Sequence, residues 1–597
     1  MWSIFGGISI ACAVAAVALA VASGTGKIWK HSRPKVLNLL FAGVFLATLA
    51  IFYPVHCSEA TTVLAYWRAF LLSIFNAIQV FAAGCEFGIV QEQMLLCPGW
   101  LATGYQVWAA TLFAVAPILT FGFVLSLFKN VSAYLKYLSV YFRDVYAFST
   151  LNEKSLVLAG DIKQKNPRAA IVFTDVFEEN EESSYEQLEQ AKALGAICFK
   201  KDILVVDFKK HSPKKELWFF AIDADETENI NQGLKLIESY KNRKNTHVYV
   251  FSTKIESELL LTSVDKGFVK VRRINEVRSL VNRVLYENGQ IIFDSAWKEE
   301  NGEKCISAVV VGMGNHGTEM VKALAWFGQM DGYKLQIDAF DRDAAAEDRF
   351  VALAPELMHE EYNGADIPGE ARYQIHIHAG MDVQTNTFAK EIAKLKNASY
   401  VLVALGDDTL NIQTAVNLRM YFERMGVHPA IQAIVYNSQQ KNALDGIENF
   451  QGQSYGIDFI GDIESSFTEQ VIIDSELEED AISRHKKWGQ EETFWTYEYN
   501  YRSSMASAIH VKARILCGIP GADKTEEMLT AEERSIIETL EHRRWNAYMR
   551  AEGYVYSGSK EKSSRNDLGK MHHNLIKYAD LTEEDKRKDC RVGSNQT

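Results

Sequence analysis

The chain has 597 residues, 48% hydrophobic and 23% charged, with a formal net charge of −13. This length exceeds what one hydrophobic core supports, and it predicts about three or four domains. The acidic balance excludes a general nucleic-acid binder, because that class needs clustered Lys and Arg to displace phosphate counterions. The first 128 residues are predominantly apolar, whereas the rest alternates charged and apolar residues. We therefore expect a membrane part followed by soluble domains.

Three N-terminal segments, 3–23, 37–54 and 106–128, are typical of transmembrane helices. Each is long enough to cross a hydrocarbon core of roughly 30 Å. By the positive-inside rule, the basic loop between the first two segments is cytoplasmic, and so are the domains beyond 129. That topology needs an odd number of crossings, so we expect three in a bundle of residues 1–128, with four as the alternative. The basic residues of the loop are Lys27, Lys30, Arg33 and Lys35.

A further apolar segment, 65–84, decides between three and four crossings. Its polar residues Ser73, Asn76 and Gln79 recur every three residues and so share one face of a helix. Such a face occurs in re-entrant pore helices, and also where bundle helices hydrogen-bond to one another. We favour helix packing, with 65–84 re-entrant or interfacial if only three segments cross.

The eight cysteines contain no C-x-x-C pair and no Cys/His cluster, so a zinc site is not expected. Cys57, Cys85 and Cys97 flank the apolar segments, where pairing outside the cytoplasm is chemically allowed. Three unpaired thiols are the alternative, and the one that we favour.

A glycine-rich turn follows a predicted strand in the middle of the chain. Residues 306–311 are typical of a buried strand, and the sequence GMGNHG at 312–317 opens a helical pattern. In this context G-x-G-x-x-G predicts a Rossmann-type turn, where backbone N–H groups approach a pyrophosphate at a helix N-terminus. A second strand, 335–340, ends at Asp341, where a ribose-binding carboxylate is expected. The same turn also serves plain strand–helix packing, so an occupied site is a separate hypothesis.

Another predicted strand, 400–405, ends in Gly406, Asp407 and Asp408 before a helix that contains Asn411. This arrangement resembles the regulator-of-potassium-conductance (RCK, or KTN) family over roughly 304–475. The resemblance implies a domain that binds a nucleotide such as NAD(H) or ATP and acts on an attached membrane pore. The candidate cofactor residues are Gly312, Gly314, Asn315, His316, Gly317, Asp341, Arg342, Asp407 and Asp408.

An internal repeat precedes this unit, because residues 220–230 align with 402–412 and place Asn229 opposite Asn411. We therefore predict two Rossmann-type domains, at 144–295 and 304–480, after a linker at 129–143. In the first domain Ser149–Asn152 stand in place of the glycine turn. We expect this first domain to be a degenerate structural copy, because the glycine roles are missing; a second nucleotide site is the alternative.

The C-terminal part has a different pattern. A helix is predicted beyond Thr530 and Glu533, which are spaced as a capping box. This helix carries Glu-His-x-x-Trp and is followed by Gly553 and Tyr554, and then by an acidic helix. The segment resembles the bacterial ryanodine-receptor repeat (RyR) domain over about 500–590. The residues that carry the resemblance are Glu541, His542, Arg544, Trp545, Gly553, Tyr554 and His573.

The RyR resemblance implies a sensor of nucleotide-derived signals, in a domain at 495–590. Trp545 and Tyr548 offer ring faces for a base, and Arg502, His542 and Arg544 offer donors to phosphate. Arg and Trp on one amphipathic helix also occur as plain core packing, which is the alternative. The candidate ligand residues are Arg502, Ser503, Glu541, His542, Arg544, Trp545, Tyr548, Tyr554 and His573.

The predicted fold is an α-helical transmembrane bundle, two tandem Rossmann-type doubly wound parallel-sheet domains and a small, mostly α C-terminal domain. We expect a homo-oligomer, either a dimer or a tetramer, in the inner membrane. Its expected function is that of an effector or channel, as in antiviral defence. The expected gating ligand is a nucleotide signal of the NAD(H), cyclic or ADP-ribose type. The alternative is an NAD(H)- or ATP-sensing regulator of potassium transport; no T-V-G-Y-G filter occurs. An enzyme is not expected, because no nucleophile–base pair or metal set is recognisable.

Overall fold

The computed structural model describes residues 2–24, 29–58, 60–85, 87–94, 99–176, 182–300, 302–358 and 372–595. Lys27 and Cys97, which the topology and cysteine predictions use, lie outside these ranges. The chain forms two compact units, Met1–Tyr141 and Phe142–Thr597.

The first unit is helical, and three of its helices contain segments long and apolar enough to cross a membrane: Leu40–Cys57, Val63–Phe81 and Gly99–Phe121. A shorter apolar segment, Trp2–Ala18, lies in the first helix. The uncertain segment 65–84 thus falls largely within a continuous helix of spanning length. The helices are α1 (Trp2–Gly24), α2 (Trp29–Cys57), α3 (Val63–Phe81), α4 (Gly88–Met94) and α5 (Gly99–Ser139).

The polar face of α3 lies inside the helical unit. Ser73 is fully buried and donates a hydrogen bond to the carbonyl of Ala69 at 2.6 Å. Asn76 is also buried, and its amide is 2.8 Å from the imidazole Nε2 of His56 on α2. These contacts agree with the helix-packing interpretation of this polar face.

Helix α5 continues well beyond the apolar segment and ends at Ser139. The predicted linker 129–143 is therefore mostly helical. The physical reason is local, since residues 123–139 contain neither Gly nor Pro to end the helix.

The second unit begins with a six-stranded parallel sheet whose strand order is β3-β2-β1-β4-β5-β6. The strands are β1 (Val145–Phe148), β2 (Ala170–Phe173), β3 (Ile197–Cys198), β4 (Leu217–Ala221), β5 (Thr246–Phe251) and β6 (Lys270–Ile274). The helices are α6 (Glu153–Lys165), α7 (Glu182–Ala193), α8 (Glu226–Tyr240), α9 (Ile255–Ser263), α10 (Glu276–Asn288) and α11 (Gln290–Asp294).

A second sheet repeats this topology, with order β10-β9-β8-β11-β12-β13 and the short antiparallel β7 beside β8. Its strands are β7 (Trp297–Lys298), β8 (Lys304–Val311), β9 (Tyr333–Asp341), β10 (Tyr373–Ala379), β11 (Tyr400–Val403), β12 (Ala430–Ile434) and β13 (Ile457–Ile460). The helices are α12 (Asn315–Phe327), α13 (Ala346–Leu353), α14 (Pro355–Met358), α15 (Asn386–Ile392), α16 (Asp408–Met425) and α17 (Ser438–Leu444). Both sheets have the Rossmann-like order, in which the second and third strands lie on one side of the first strand and the fourth to sixth on the other.

The two sheets share a hydrogen-bond pattern at equivalent positions. The Asn411 side chain accepts from the backbone N–H of Leu405 at 2.7 Å and donates to the carbonyl of Ile434 at 2.8 Å. Asn229 likewise accepts from Asp223 at 2.6 Å and donates to Phe251 at 2.9 Å. Each asparagine therefore ties its helix to the carboxyl ends of two neighbouring strands.

The C-terminal part is mostly helical and packs on α12 of the second sheet and on α10, which follows the first sheet. Helix α23 contacts α12, and α22 contacts α10 and α20. The Thr530–Glu533 capping box at the start of α23 is confirmed. The predicted limit at 480 falls inside α20. The elements are α18 (Ile463–Ser466), α19 (Glu469–Ile472), α20 (Glu476–His485), α21 (Glu491–Thr496), α22 (Glu498–Leu516), α23 (Ala531–Ala551), β14 (Val555–Tyr556), β15 (Met571–His572) and α24 (Glu583–Gly593), with 3₁₀ turns at Glu526–Met528, Lys562–Ser564 and Tyr578–Asp580.

Candidate functional site

A cleft of about 1060 Å³ lies at the carboxyl ends of both parallel sheets. We call it the inter-sheet cleft. Ligands of open α/β sheets bind at this edge, where the strand order reverses. Seven of the nine predicted cofactor residues line it: Gly312, Gly314, Asn315, His316, Asp341, Arg342 and Asp407.

The three glycines of the turn have three different surroundings. Gly312 has φ +98°, and a Cβ there would lie 2.4 Å from the carbonyl oxygen of Ala404. A Cβ on Gly317 would lie 1.7 Å from the carbonyl oxygen of Gly312, so this residue allows the close packing of α12 on β8. Around Gly314, by contrast, no described residue other than its chain neighbours has an atom within 4 Å of an added Cβ. Gly312 thus makes the turn and Gly317 the packing, while Gly314 leaves open space at the start of α12.

The acidic residues of this region are tied to backbone N–H groups. Asp341 accepts from Met313 of the turn at 2.7 Å and from Asp343 at 2.8 Å. Asp407 caps α16 by accepting from Leu410 at 2.8 Å. Asp408 does not line the cleft; it accepts from the N–H groups that follow β12, at 3.0 and 2.9 Å. Asp408 is therefore a structural residue here, while Asp341 joins the turn to the cleft.

The charge of the inter-sheet cleft is predominantly negative. Among the described residues, seven carboxylates line it against three cationic side chains, those of Lys154, Arg342 and Arg349. His316 adds no positive charge near neutral pH, because burial lowers its pKa to about 4. A ligand with several phosphates is therefore disfavoured here unless it brings its own cations.

The first sheet also contributes to this cleft, through residues such as Lys154, Asp223 and Thr253. Its loop after β1 is satisfied internally: Asn152 caps α6 and donates to the carbonyl of Ile222 at 2.8 Å. Ser149 accepts from the N–H of Ile222 at 2.9 Å. Side chains thus hold the loop that lies where the second sheet has its glycine turn.

A second cleft, of about 860 Å³, lies within the C-terminal part. We call it the C-terminal cleft. Six predicted ligand residues line it: Ser503, Glu541, His542, Arg544, Trp545 and His573. Helix α23 presents Glu541, Arg544 and Trp545 on one face, because they are spaced by three and four residues. Two further aromatic side chains, Trp488 and Tyr499, also line the cleft.

Three nearly fully buried side chains of this cleft each have a polar atom without a hydrogen-bond partner among the described residues. They are Arg544 (Nη1), Ser507 (Oγ) and His573 (Nδ1), which are 1%, 2% and 6% exposed. A buried polar group without a partner costs about 1–3 kcal/mol, so native structures rarely leave one unsatisfied. All three side chains line the same cleft, where a molecule or water can supply the missing hydrogen bonds.

The C-terminal cleft is predominantly positive, because seven cationic side chains line it against three carboxylates. Glu541 is bound by Arg544 at 2.6 Å and by Arg514. Burial acts to raise its pKa, but these two guanidinium groups hold the pKa of Glu541 below the usual range. At the rim, Lys486 pairs with Glu491 and Lys562 with Glu584. Exposed pairs of this kind contribute little to stability, and their lysines can turn to an incoming anion.

The histidines of this cleft are held in their places by hydrogen bonds and burial. His542 contacts Asp589 at 3.1 Å and the carbonyl of Ile576 at 2.7 Å. Burial, with the nearby Arg565 guanidinium, lowers the pKa of His572 to about 3. The ring of His572 packs edge-on against Trp545 at 4.9 Å between centroids and is neutral at physiological pH.

Three predicted ligand residues lie away from this cleft. Arg502 forms ion pairs with Glu258 at 3.0 Å and Glu552 at 2.8 Å. Tyr548 packs against Trp326 of the second α/β domain, with ring centroids 6.4 Å apart. Tyr554 packs against Tyr499, with ring centroids 6.0 Å apart. Of the two neighbouring residues Arg502 and Ser503, only Ser503 lines the cleft, because Arg502 is paired with these carboxylates.

The basic rim of the C-terminal cleft and the aromatic residue beside it were not predicted from the sequence. Lys486, Lys487 and Trp488 follow α20, while Lys588 and Arg591 belong to α24. The only local signal was the K-K-W triplet, which by itself has no functional meaning. Burial, with the nearby Arg484 guanidinium, lowers the pKa of Lys487 to about 8, and its ammonium donates to the carbonyl of Ser594 at 3.1 Å.

Among the described residues no group of three or more His, Cys, Asp or Glu is placed to hold a metal ion. A scan against protein-family models finds no match to the chain, and a search of curated proteins finds none either.

Proposed function

We propose that this chain is a membrane-anchored sensor in which a nucleotide-derived signal, bound in the C-terminal cleft, changes the state of the apolar helices. The observation that carries this proposal is a set of buried polar atoms, on Arg544, Ser507 and His573, that have no partner within the described ranges and belong to side chains lining the same cleft as Trp545. A ligand with phosphate oxygens and a flat base satisfies both features. Phosphate accepts from guanidinium donors, and a base stacks on indole.

The charge of the two clefts supports the same assignment. The C-terminal cleft is positive and the inter-sheet cleft negative, so a phosphate-rich signal is favoured in the former. The resemblance to RyR domains points to this class of ligand independently of the charges. The resemblance to RCK domains adds the expectation that the α/β layer passes the response to membrane helices in a homo-oligomer.

The connection between the sensing and membrane parts is covalent, and it consists of the end of helix α5 and the short non-helical segment 140–144. Helix α5 runs from the apolar segment Gly99–Phe121 to Ser139, and β1 begins at Val145. A ligand acts through such a connection only if it prefers one arrangement of the protein over another by a few kcal/mol. The proposed output is a change in membrane permeability.

The test uses the full chain in lipid nanodiscs and a panel of nucleotides: NAD, ATP, ADP-ribose and cyclic nucleotides. Binding to the native state raises the melting temperature. We expect one member to raise it in the wild type and Trp545→Ala to weaken that ligand roughly tenfold, since base stacking on an aromatic ring is worth about 1–3 kcal/mol. Phe450→Ala is the matched control, because Phe450 is 95% exposed and lines neither cleft.

The same ligand should then change ion flux through vesicles that contain the reconstituted protein. No shift with any member of the panel, or a shift that Trp545→Ala leaves unchanged, contradicts the C-terminal cleft as the signal site. Binding without a flux response would separate a sensor from a channel.

The second candidate function is sensing of the NAD(H) or ATP pool at the inter-sheet cleft, as the RCK resemblance implies. Its specific support is the open space at Gly314, between a turn at Gly312 and close packing at Gly317. If a pyrophosphate approaches there, Gly314→Ala removes the NAD-induced rise in melting temperature but leaves the ligand of the C-terminal cleft bound as before. A response to NAD that Gly314→Ala does not alter refutes this second candidate.

A further inference from the structure

A third cavity, of about 370 Å³, lies where α10, the segment 465–478 and α22 meet. We call it the junction cavity. It shares no lining residue with the C-terminal cleft, and its lining contains five cationic side chains. They are Arg273, Arg278, Arg283, Arg502 and Lys512.

Most carboxylates that line the junction cavity already accept from a donor. Glu498 is paired with Arg273, and Glu478 accepts from the Tyr501 hydroxyl at 2.8 Å. Glu476 accepts from the Tyr286 hydroxyl at 3.2 Å. Ion pairs neutralise two of the four lining carboxylates, Glu498 with Arg273 and Glu478 with Arg272. The hydroxyl bond leaves the charge of Glu476 in place, and Glu287 is the fourth lining carboxylate.

Two cationic donors, in contrast, have no hydrogen-bond partner in the part of the chain that the structure describes. Arg278 binds Glu319 through Nε and Nη2, at 2.7 and 3.4 Å, and its buried Nη1 has no partner among the described residues. Arg502 uses both terminal nitrogens for ion pairs, and its buried Nε has no partner in the same part of the chain. Two guanidinium groups thus keep spare donors at the wall of one cavity.

Two further cations there have no carboxylate partner among the described residues. Within the ranges that the structure describes, Lys512 forms no ion pair, and its ammonium lies 3.6 Å from the ring centroid of Tyr286. Arg283 donates to the Ser465 backbone and to the hydroxyls of Ser465 and Ser466. Because these groups come from α10 and α22, an anion in the cavity would be held from two sides.

We propose that the junction cavity is a separate binding site for a compact phosphate-bearing anion. Its volume lies near the lower end of the range of about 300–1000 Å³ for small-molecule sites, which favours a molecule smaller than a dinucleotide. Phosphate oxygens are the acceptors that guanidinium and ammonium groups prefer together. The anion joins α10 to α22, and so stabilises the arrangement of the α/β domains and the C-terminal part.

The test is hydrogen–deuterium exchange on the full chain in nanodiscs, with inorganic pyrophosphate as the probe. We expect slower exchange in peptides of α10 and of 465–478, with the half-saturating concentration about tenfold higher for Lys512→Gln. Lys512→Arg should retain the wild-type value. Lys235→Gln is the matched control, because Lys235 is an exposed lysine of α8 that lines none of the three cavities.

Unchanged exchange in these two peptides at saturating pyrophosphate overturns the proposal, and so does equal protection in Lys512→Gln and wild type. Slower exchange confined to peptides of the C-terminal cleft also overturns it. Trp545→Ala distinguishes the two sites, because it should weaken the nucleotide signal but leave protection of α10 intact. The proposed junction site can therefore be refuted without refuting the proposed function, and the reverse also holds.

Discussion

The glycine turn gives a matched pair of substitutions with opposite expected outcomes. In Gly317→Ala the new Cβ would lie 1.7 Å from the carbonyl oxygen of Gly312 and 2.9 Å from its carbon. Contacts below 3.0 Å are essentially never seen for real Cβ atoms, and both neighbours are backbone atoms that cannot rotate away. The start of α12 must therefore move away from β8 by more than about 1 Å, which disrupts the close packing between the two elements. Overpacking of this kind typically destabilises a fold by about 1–3 kcal/mol.

Gly314→Ala is expected to have almost no effect on stability. Its φ of −69° is accessible to alanine, and in the described part of the chain no atom beyond the neighbouring residues lies within 4 Å of the added Cβ. Alanine is a poorer N-cap than glycine, by less than about 1 kcal/mol. Reduced entropy of the unfolded chain offsets this by about 0.4–1 kcal/mol. The two terms nearly cancel.

The assay is thermal or urea unfolding of the full chain, followed by the fluorescence of its tryptophans. We expect Gly317→Ala to lower the melting temperature by several degrees and Gly314→Ala to leave it within about 2 °C, as their free energies imply. Equal destabilisation by both substitutions, or none by either, would refute the roles assigned to the two glycines.

Three further outcomes follow from the contacts described above. Asn411→Ala leaves two buried backbone groups unpaired and should destabilise the fold by about 1–3 kcal/mol, whereas the exposed Asn231→Ala should change the unfolding free energy little. Arg502→Ala breaks two largely buried ion pairs and should lower the unfolding free energy by on the order of 3 kcal/mol. The control is Lys192→Ala, which breaks an exposed ion pair and should lower the unfolding free energy by less than about 1 kcal/mol. Burial acts to raise the pKa of Glu552, but two arginines hold it well below 4.5; its ionised form therefore stabilises the fold above pH 4.5, and this contribution is lost as the pH falls further. Between pH 3 and 7 the melting temperature should depend less on pH in Glu552→Gln than in the wild type. An unchanged pH dependence would argue against these ion pairs.

The sequence by itself predicted the features that depend on local backbone chemistry. Apolar runs that end in glycine or aspartate predicted strands such as β8 and β9, and the capping box predicted the start of α23. The alignment of Asn229 with Asn411 predicted a repeat, and the two side chains make equivalent hydrogen bonds. These patterns are visible because strand periodicity, helix caps and tight turns depend on residues close together in the chain.

Only the tertiary structure decided which polar residues share a cleft. Arg502 and Ser503 are neighbours on α22, yet the first pairs with Glu258 and Glu552 while the second lines the C-terminal cleft. Tyr548 lies one turn after Trp545 but packs on another domain. The helix period determines the relative directions of side chains on one helix. The packing of elements that are distant in the chain determines which of those side chains line a cavity.

The inter-sheet cleft and the junction cavity also depend on tertiary packing that local sequence patterns do not predict. The first sheet's contribution to the inter-sheet cleft was not predicted, because its loop at Ser149–Asn152 lacks glycine and local sequence does not show that two carboxyl edges meet. Lys512 and Arg283 are more than two hundred residues apart in the chain and line one cavity. Such sites depend on contacts between elements that are far apart in sequence, which no local pattern of residues encodes.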